Sequence, residues 1–210
     1  MIVKTSYFVP SRRQFLLNVL PAGTLFCLGC SSLLFSAQSE ERPKAPPEKH
    51  KFLTDSGMSY KQLFEFAYQD SFIPLIQNLA NDIGREKFIE MLKKASSEAG
   101  ANRAKNWAKK VPKNDLVTFA AYLRKPSRFW KHTCTHELIE DTAKVVEVKY
   151  TECLWATIFH EANSPDIGYA TFCHGDFAIA HAFNPELKMT RTKTLMQGHD
   201  CCNHRYIWEG

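Results

Sequence analysis

The period of the apolar residues changes at Pro126, and this change constrains the fold more than any other feature of the chain. From Ser56 to about Lys125, apolar residues recur at steps of three and four, as on one face of a helix. Beyond Pro126, short segments alternate apolar and charged residues, as in strands with one buried face. The sequence therefore predicts an α+β fold, with a helical N-terminal half followed by a ββααββ half around an antiparallel sheet.

Three helices are predicted in the N-terminal half. The first begins near Tyr60, bends at Pro74 and ends at Gly84, because proline interrupts a helical hydrogen-bond ladder and glycine commonly follows a helix end. The second covers residues 85 to about 110, and the third covers residues 115–123.

The C-terminal half is predicted to contain four strands and two helices. Val146, Val148 and Tyr150 alternate with charged neighbours, and Gly198 turns the chain before the last strand. The predicted strands cover 136–141, 143–151, 187–196 and 202–208, and the predicted helices cover 153–162 and 168–183.

The N-terminal segment indicates export. The run Ser11-Arg12-Arg13-Gln14-Phe15-Leu16 forms a twin-arginine signal, and an apolar stretch over residues 15–28 follows it. Next, Leu28-Gly29-Cys30-Ser31 resembles the end of a lipoprotein signal, which would leave Cys30 lipidated; cleavage after Ala37 and retention as an uncut anchor are the alternatives. We therefore expect the twin-arginine export machinery as a partner and a periplasmic location, either free or tethered to the membrane.

The chain divides into a signal over residues 1–37, a polar, proline-rich flexible linker over residues 38–55 and a single domain over residues 56–210. An apolar share of 44% and a charged share of 23% are typical of a soluble globular protein. The first thirty residues hold three of the 27 basic residues and none of the 22 acidic ones, so the remainder is close to neutral. Nucleic acid is therefore not expected as a partner.

Five cysteines lie in the predicted domain, at positions 134, 153, 173, 201 and 202. An odd number leaves at least one thiol unpaired within the chain, and the neighbours Cys201 and Cys202 rarely pair because the ring they would close is strained. In an oxidising compartment, unpaired thiols tend to be buried, metal-bound or catalytic.

Cys173 and Asp176 are three residues apart on a predicted helix and so share a face. A thiolate can attack an electrophilic carbon, and a nearby carboxylate can move protons, so the pair is a candidate catalytic group. The alternative is a small buried cysteine beside a carboxylate on the helix surface. The residues alone leave both interpretations open.

The last predicted strand places Cys202 and His204 on one face and Arg205 on the other. If this strand pairs with the strand at 187–196, Arg191 and Arg205 could lie on the same face of the sheet, near the helix that bears Cys173. Two guanidinium groups so close together favour a shared anion, such as the carboxylate of a substrate.

No metal is predicted as the main interpretation, and zinc is the alternative. Its ligands would come from Cys173, Asp176, Cys202 and His204, because zinc accepts mixed sulfur, nitrogen and oxygen ligands in a tetrahedral site.

Three short motifs stand out in the C-terminal half: a Cys-x-x-Asp on a helix, an Asn-Pro before an Arg-Thr-x-Thr strand, and a Gly-x-x-x-Cys-x-x-Arg ending. They are Cys173-His174-Gly175-Asp176, Asn184-Pro185 with Arg191-Thr192-Lys193-Thr194, and Gly198-His199-Asp200-Cys201-Cys202-Asn203-His204-Arg205. Together with Thr151-Glu152-Cys153-Leu154-Trp155-Ala156, they resemble the L-2-amino-thiazoline-4-carboxylic acid hydrolase family. The resemblance covers roughly residues 130–208. The chain departs from the family's usual forms in its export signal and in the Cys201-Cys202 doublet.

This resemblance implies a hydrolytic opening of a cyclic amidine that carries a carboxylate. Cys173 would act as nucleophile or would position water, and Asp176 would act as general base or acid. Arg191 or Arg205 would hold the substrate carboxylate. The pocket would be completed by Cys202, His204 and Asn184.

The leading hypothesis is therefore an exported hydrolase-like domain that acts on a C–N or C–S bond of a small carboxylate compound. The alternative is a non-catalytic domain of the same fold that binds a small molecule or a metal.

Overall fold

The computed structural model describes residues 56–210, and in them it confirms the predicted α+β fold. Helices make up the first part of this range, and a four-stranded antiparallel sheet with intervening helices makes up the second. The predicted twin-arginine signal, Cys30 and the linker over residues 38–55 lie outside the described residues. Within residues 56–210, the structure contains no helix that is both long and apolar enough to span a bilayer.

The first helical segment runs without a break through α1 (Tyr60–Phe64), a π-helical stretch (Glu65–Phe72) and α2 (Ile73–Ile83). A bend was predicted at Pro74. The structure has a π-helical stretch directly before it, and Pro74 itself lies in the first turn of α2. Proline lacks an N–H and crowds the carbonyl four residues earlier, and the wider π-helical turn accommodates both effects.

Gly84, with a φ of 94°, separates α2 from the long helix α3 (Arg85–Ala108), as predicted. The predicted single helix over residues 115–123 is instead two short helices, α4 (Leu116–Phe119) and α5 (Ala121–Arg124), which meet at Ala120. A further short helix, α6 (Arg128–Thr133), leads into the sheet.

The sheet contains β1 (Cys134–Asp141), β2 (Val145–Cys153), β3 (Leu187–Thr190) and β4 (Cys202–Trp208), in the spatial order β1-β2-β4-β3. The strand predicted over residues 187–196 is wrong beyond Thr190. The side chain of Asn203 accepts hydrogen bonds from the backbone N–H groups of Thr192 and Lys193, in place of the ladder bonds that would continue the strand. A 3₁₀ turn (Leu195–Gln197) follows.

Between β2 and β3 the chain forms α7 (Leu154–Glu161), α8 (Pro165–Gly168), a second π-helical stretch (Tyr169–Cys173) and α9 (Asp176–Phe183). The predicted single helix over residues 168–183 is therefore interrupted between Cys173 and Asp176. Gly175 lies at this interruption, against the backbone of α3. At this interruption, the backbone of α3 lies close to the segment that bears Cys173 and Asp176.

Two apolar cores hold the domain together. One is formed where α1, α2 and α7 meet, and the other is formed between the sheet and the helices α3, α4 and α9. The second core contains Val146 and Val148 of β2, Leu187 of β3 and Tyr206 of β4. These positions show that one face of the sheet is covered by helices, as the alternating pattern predicted.

Gly175→Ala is predicted to lower the free energy of unfolding by about 1–3 kcal/mol, because overpacking forces the backbone to shift. A Cβ atom at Gly175 would lie only 2.8 Å from the carbonyl oxygen of Ser96 in α3. Gly100→Ala is the matched control on the same interface: its new methyl group would come closest to the side chain of Ile179, at 2.9 Å, and the backbone oxygen of Gly175 would lie farther away, at 3.3 Å. Urea denaturation of both variants measures the difference, and an equal loss for the two would contradict this packing argument.

Candidate functional site

The helix-covered face of β4 presents Cys202, His204 and Tyr206, as the strand period predicted. Cys202 pairs with Tyr150 in the sheet register, and the His204 ring lies 5.1 Å from the Tyr150 ring between centroids. These side chains form the floor of the candidate site.

Arg191, just beyond β3, lies at the centre of the site. Its side chain is only 2% exposed. The Nη1 atom donates to Asp176 Oδ2 at 2.8 Å, and Nη2 donates to the carbonyl oxygen of Cys173 at 3.0 Å and to the hydroxyl of Tyr169 at 3.5 Å. The guanidinium carbon also lies 5.0 Å from the centroid of the Phe177 ring. Burial opposes this charge, but Asp176 helps to keep the pKa of Arg191 above its usual value.

Asp176, the first residue of α9, supplies the carboxylate of the site. Burial raises its pKa to about 6, and the charge and hydrogen bond of Arg191 work in the opposite direction. The side chain as a whole keeps 27% of its surface exposed, so part of it borders solvent. A carboxyl group with a pKa near 6 can take up and release protons at neutral pH.

His204 is held neutral beside this ion pair. The pKa of His204 is lowered to about 3, mainly by burial and to a lesser extent by the charge of Arg191. The Nε2 atom lies 3.3 Å from Arg191 Nη1, and because a guanidinium only donates, Nε2 must accept. The ring proton is therefore on Nδ1, which donates to the Tyr206 hydroxyl at 3.5 Å.

A hydrogen-bond chain continues from His204 through Tyr206 to Tyr122. Burial raises the pKa of Tyr206 well above its usual value, and the hydrogen bond with Tyr122 adds to this effect. Because the Tyr206 hydroxyl accepts from His204 Nδ1, its own proton is available for the hydroxyl of Tyr122. Burial raises the pKa of Tyr122 to about 12, so the hydroxyl at this end of the chain is itself surrounded by protein.

Cys173 is a neutral thiol in this environment. Burial is the main reason that its pKa lies well above the usual value, and the nearby charge of Asp176 adds to the effect against the opposing charge of Arg191. Burial likewise raises the pKa of Cys202 to about 11, and its sulfur accepts a hydrogen bond from the N–H of Leu195 at 3.2 Å. Both thiols therefore stay protonated near neutral pH.

Arg205 does not join Arg191, contrary to expectation. Thr190 is paired with Arg205 in the register, so Arg191, the next residue along, points to the opposite face. Arg205 instead forms ion pairs with Glu147 and, at 2.8 Å, with Glu140. The two guanidinium groups cannot share one substrate carboxylate in this arrangement.

Asn184 is engaged in the turn between α9 and β3. Its side-chain amide donates to the carbonyl oxygen of Asn114, and its side-chain oxygen accepts from the N–H of Glu186, both at 2.8 Å. The structure thus places this predicted substrate-binding residue apart from the group around Arg191. That group consists of Arg191 and its hydrogen-bond partners Asp176, Cys173, Tyr169 and His204.

The alternative metal ligands were Cys173, Asp176, Cys202 and His204. Within residues 56–210, no three side chains of histidine, cysteine, aspartate or glutamate are arranged to hold one metal ion. Both ring nitrogens of His204 have hydrogen-bond partners in Arg191 and Tyr206. Zinc binding stays a prediction.

Two features near the site were missing from the sequence prediction. Arg103 of α3 is exposed, and its charge acts to lower the pKa of Asp176. In addition, a cavity of about 560 Å³ at one end of the sheet is lined by Cys134, Cys153 and His160, among others. Both features depend on long-range packing and strand register, and no local sequence signal indicates either.

Comparison with known proteins shows the family of the chain. The model of the family described as L-2-amino-thiazoline-4-carboxylic acid hydrolase matches residues 65–206. No curated protein matches the sequence. A structural likeness exists to the crystal structure of the phenol-responsive sensory domain of the transcription activator PoxR with phenol. The sequence identity is 10%, the TM-score is 0.44, and the likeness covers 64% of this chain and 71% of that one.

The family match spans both cores, the sheet from β1 to most of β4, and the group around Arg191. It also extends upstream of the sequence motifs, which began near residue 130. This chain belongs to the L-2-amino-thiazoline-4-carboxylic acid hydrolase family.

Proposed function

We propose that the chain is a hydrolase that opens a cyclic amidine in a small substrate bearing a carboxylate. The observation that carries this proposal is the carboxyl group of Asp176, which has a pKa of about 6, belongs to a side chain that is 27% exposed, and is held by the buried guanidinium of Arg191. A general base works best when its pKa lies near the working pH, and a base fixed in position needs no reorganisation during reaction. Membership of the hydrolase family supports the same reaction class.

Asp176 acts in this proposal on water rather than on a thiol. The substrate ring has a carbon that lies between a nitrogen and a sulfur. Asp176 takes a proton from water as the water oxygen bonds to this carbon, and it passes that proton to the ring nitrogen. The hydroxyl of the tetrahedral intermediate then gives up its proton as the C–S bond breaks, and sulfur leaves as a thiol. The product is an N-carbamoyl amino acid. Cys173 positions the water, because its raised pKa disfavours the thiolate that direct attack would need.

The substrate carboxylate needs a cation other than Arg191 or Arg205. Both have their own partners: Arg191 contacts Asp176, and Arg205 contacts two glutamates. Arg103 is exposed, and its side chain makes no hydrogen bond or ion pair with any other residue in the range 56–210, yet its charge acts to lower the pKa of Asp176. We assign the carboxylate contact to Arg103, as a residue of the mouth of the site.

A non-catalytic binding domain is the second candidate. The observation in its favour is that Arg191 is 2% exposed and already saturated by protein groups, as in a structural ion pair. In that case the group around Arg191 would stabilise the domain, and a ligand would bind without being transformed.

Substitutions at the two central residues separate these candidates. Asp176→Asn is predicted to lower kcat/KM on cyclic amidines by at least about 10²-fold, the usual contribution of a general base. Cys173→Ser is predicted to retain turnover, because a hydroxyl can also hold water. Steady-state assays on 2-aminothiazoline-4-carboxylate and related amidines measure both. Asp200→Asn is the matched control, since Asp200 pairs with Lys193 on the surface.

Circular dichroism checks folding, because Asp176→Asn leaves the buried Arg191 without a charged partner. Abolition of turnover by Cys173→Ser alone would indicate attack by the thiol and would contradict the proposed role of water. Ligand binding by the wild type, with no turnover across the panel, would favour the binding domain.

The pH dependence tests the role of Asp176 directly. A base must be ionised to act, so log(kcat/KM) is predicted to rise with pH up to about 6, the pKa of Asp176, and to level off above it. Asp176→Asn removes this ionisation from the residual activity. A rate that instead falls above pH 6 would assign the protonated acid form to catalysis.

We also propose that the chain is exported through the twin-arginine machinery and acts in the periplasm, free or tethered at its N-terminus. The signal at Arg12 and Arg13 supports this location. In a bacterial host with that machinery, replacing both residues by lysine is predicted to retain the protein in the cytoplasm. Cell fractionation measures the distribution, with Arg42→Lys as the control, and export of the double variant would contradict the proposal. Palmitate labelling distinguishes lipidation of Cys30 from cleavage after Ala37 and from an uncut anchor. Lipidation predicts a label that is lost in Cys30→Ser.

A further inference from the structure

Cys134 and Cys153 lie directly opposite each other across two antiparallel strands. Cys134 is the first residue of β1, Cys153 is the last residue of β2, and the register pairs them. Opposed residues of antiparallel strands have Cα atoms about 4.5–5.5 Å apart, within the range of roughly 4.4–6.8 Å that a disulfide spans. Both thiols are free in the structure.

An irregularity in the strand pairing produces this arrangement. Thr135 pairs with Glu152 and His136 pairs with Tyr150, so Thr151 is an extra residue in β2. Without the extra residue, the side chain of Cys153 would point away from the face that carries Tyr150. Because β1 is an edge strand, a small movement of Cys134 towards Cys153 disturbs no strand on its other side.

The two thiols have unequal reactivity. Cys153 is also the N-cap residue of α7. The neighbouring thiol of Cys134, and the backbone N–H groups of Ala156 and Trp155 at the start of the helix, lower the pKa of Cys153 against the effect of burial. The neighbouring thiol of Cys153 and burial both raise the pKa of Cys134. Cys153 is thus suited to be the attacking thiol, and Cys134 the resolving one.

Both cysteines line the cavity of about 560 Å³, within the usual size range of small-molecule sites. Cys153 is partly exposed, whereas Cys134 is buried behind it. The cavity wall is also polar and carries both signs of charge, from Lys131 and Glu152. A small, charged reagent can therefore reach Cys153 before it reaches Cys134.

We propose that Cys134 and Cys153 form a redox-active pair that exchanges with small-molecule disulfides in this cavity. The thiolate of Cys153 attacks one sulfur of a disulfide R–S–S–R, which forms a mixed disulfide and releases one thiol, RSH, once the departing sulfur is protonated. Cys134 then loses its proton and attacks the Cys153 sulfur, which releases the second RSH. The protein pair is oxidised by two electrons, and the small disulfide is reduced by two. This activity is separate from the proposed hydrolysis, since neither cysteine belongs to the group around Arg191.

Redox titration of the purified full chain tests the pair. The protein is equilibrated with mixtures of reduced and oxidised glutathione, alkylated, and digested with trypsin and a protease that cleaves after glutamate. Cleavage after Glu161 separates Cys153 from Cys173, so mass spectrometry can assign each link. The expected result is a Cys134–Cys153 link that forms in oxidising buffer and disappears in reducing buffer. Stable glutathione on Cys153 of the wild type, or a link from Cys153 to Cys173 or Cys202, would falsify the proposal.

Single variants establish the order of the two steps. Cys134→Ser is predicted to accumulate glutathione on Cys153, because the resolving thiol is missing. Cys153→Ser is predicted to leave Cys134 largely unmodified. Cys201→Ser is the matched control, a buried cysteine of the same domain that should leave the link intact. Equal modification of Cys134 in Cys153→Ser would contradict the assigned order, while the wild-type titration tests the pair even if a variant fails to fold.

Discussion

The ion pair between Arg191 and Asp176 is the interaction on which the site depends. A guanidinium with 2% of its side chain exposed loses nearly all contact with water, which is costly unless protein groups replace that water. Asp176 supplies the opposite charge, the carbonyl of Cys173 accepts a further hydrogen bond, and the neutral ring of His204 accepts another. These groups come from the start of α9, the end of the π-helical stretch and β4. One buried cation therefore fixes three separate segments around a single point.

The same cation and the same burial set the protonation of every neighbour. Burial acts against charge on any group, so it raises the pKa of Asp176 and Cys173 and lowers that of His204. The charge of Arg191 opposes burial at the two acids and reinforces it at the histidine. At Asp176 the opposing effects leave a pKa of about 6, whereas Cys173 and His204 are left neutral. Among these three residues, Asp176 is therefore the one whose pKa lies nearest to neutral pH.

Much of the fold follows from residue periodicity. The change at Pro126 predicted the helical and sheet-containing parts, and the period of two placed Cys202 and His204 on one face. The errors arose where a single side chain or a packing contact overrides the local pattern. Asn203 ends β3 early by taking two backbone N–H groups, and close contact with α3 accompanies the interruption at Gly175. Such effects depend on residues far apart in sequence, which periodicity does not report.

The site was predicted less completely than the fold, and the two cysteines near helix starts show why. Cys153 and Cys173 each precede a helix, and both are largely surrounded by protein, yet their pKa values shift in opposite directions. Cys153 is the N-cap residue of α7, and the thiol of Cys134 and the backbone N–H groups of the first helical turn lie near it, so its thiolate is stabilised. Cys173 is separated from α9 by a turn and lies near the carboxylate of Asp176, so its thiolate is disfavoured. Thiolate chemistry is therefore expected at Cys153 and proton transfer through water at Asp176. The bulge at Thr151, which places Cys153 opposite Cys134, cannot be recognised from residue type or spacing.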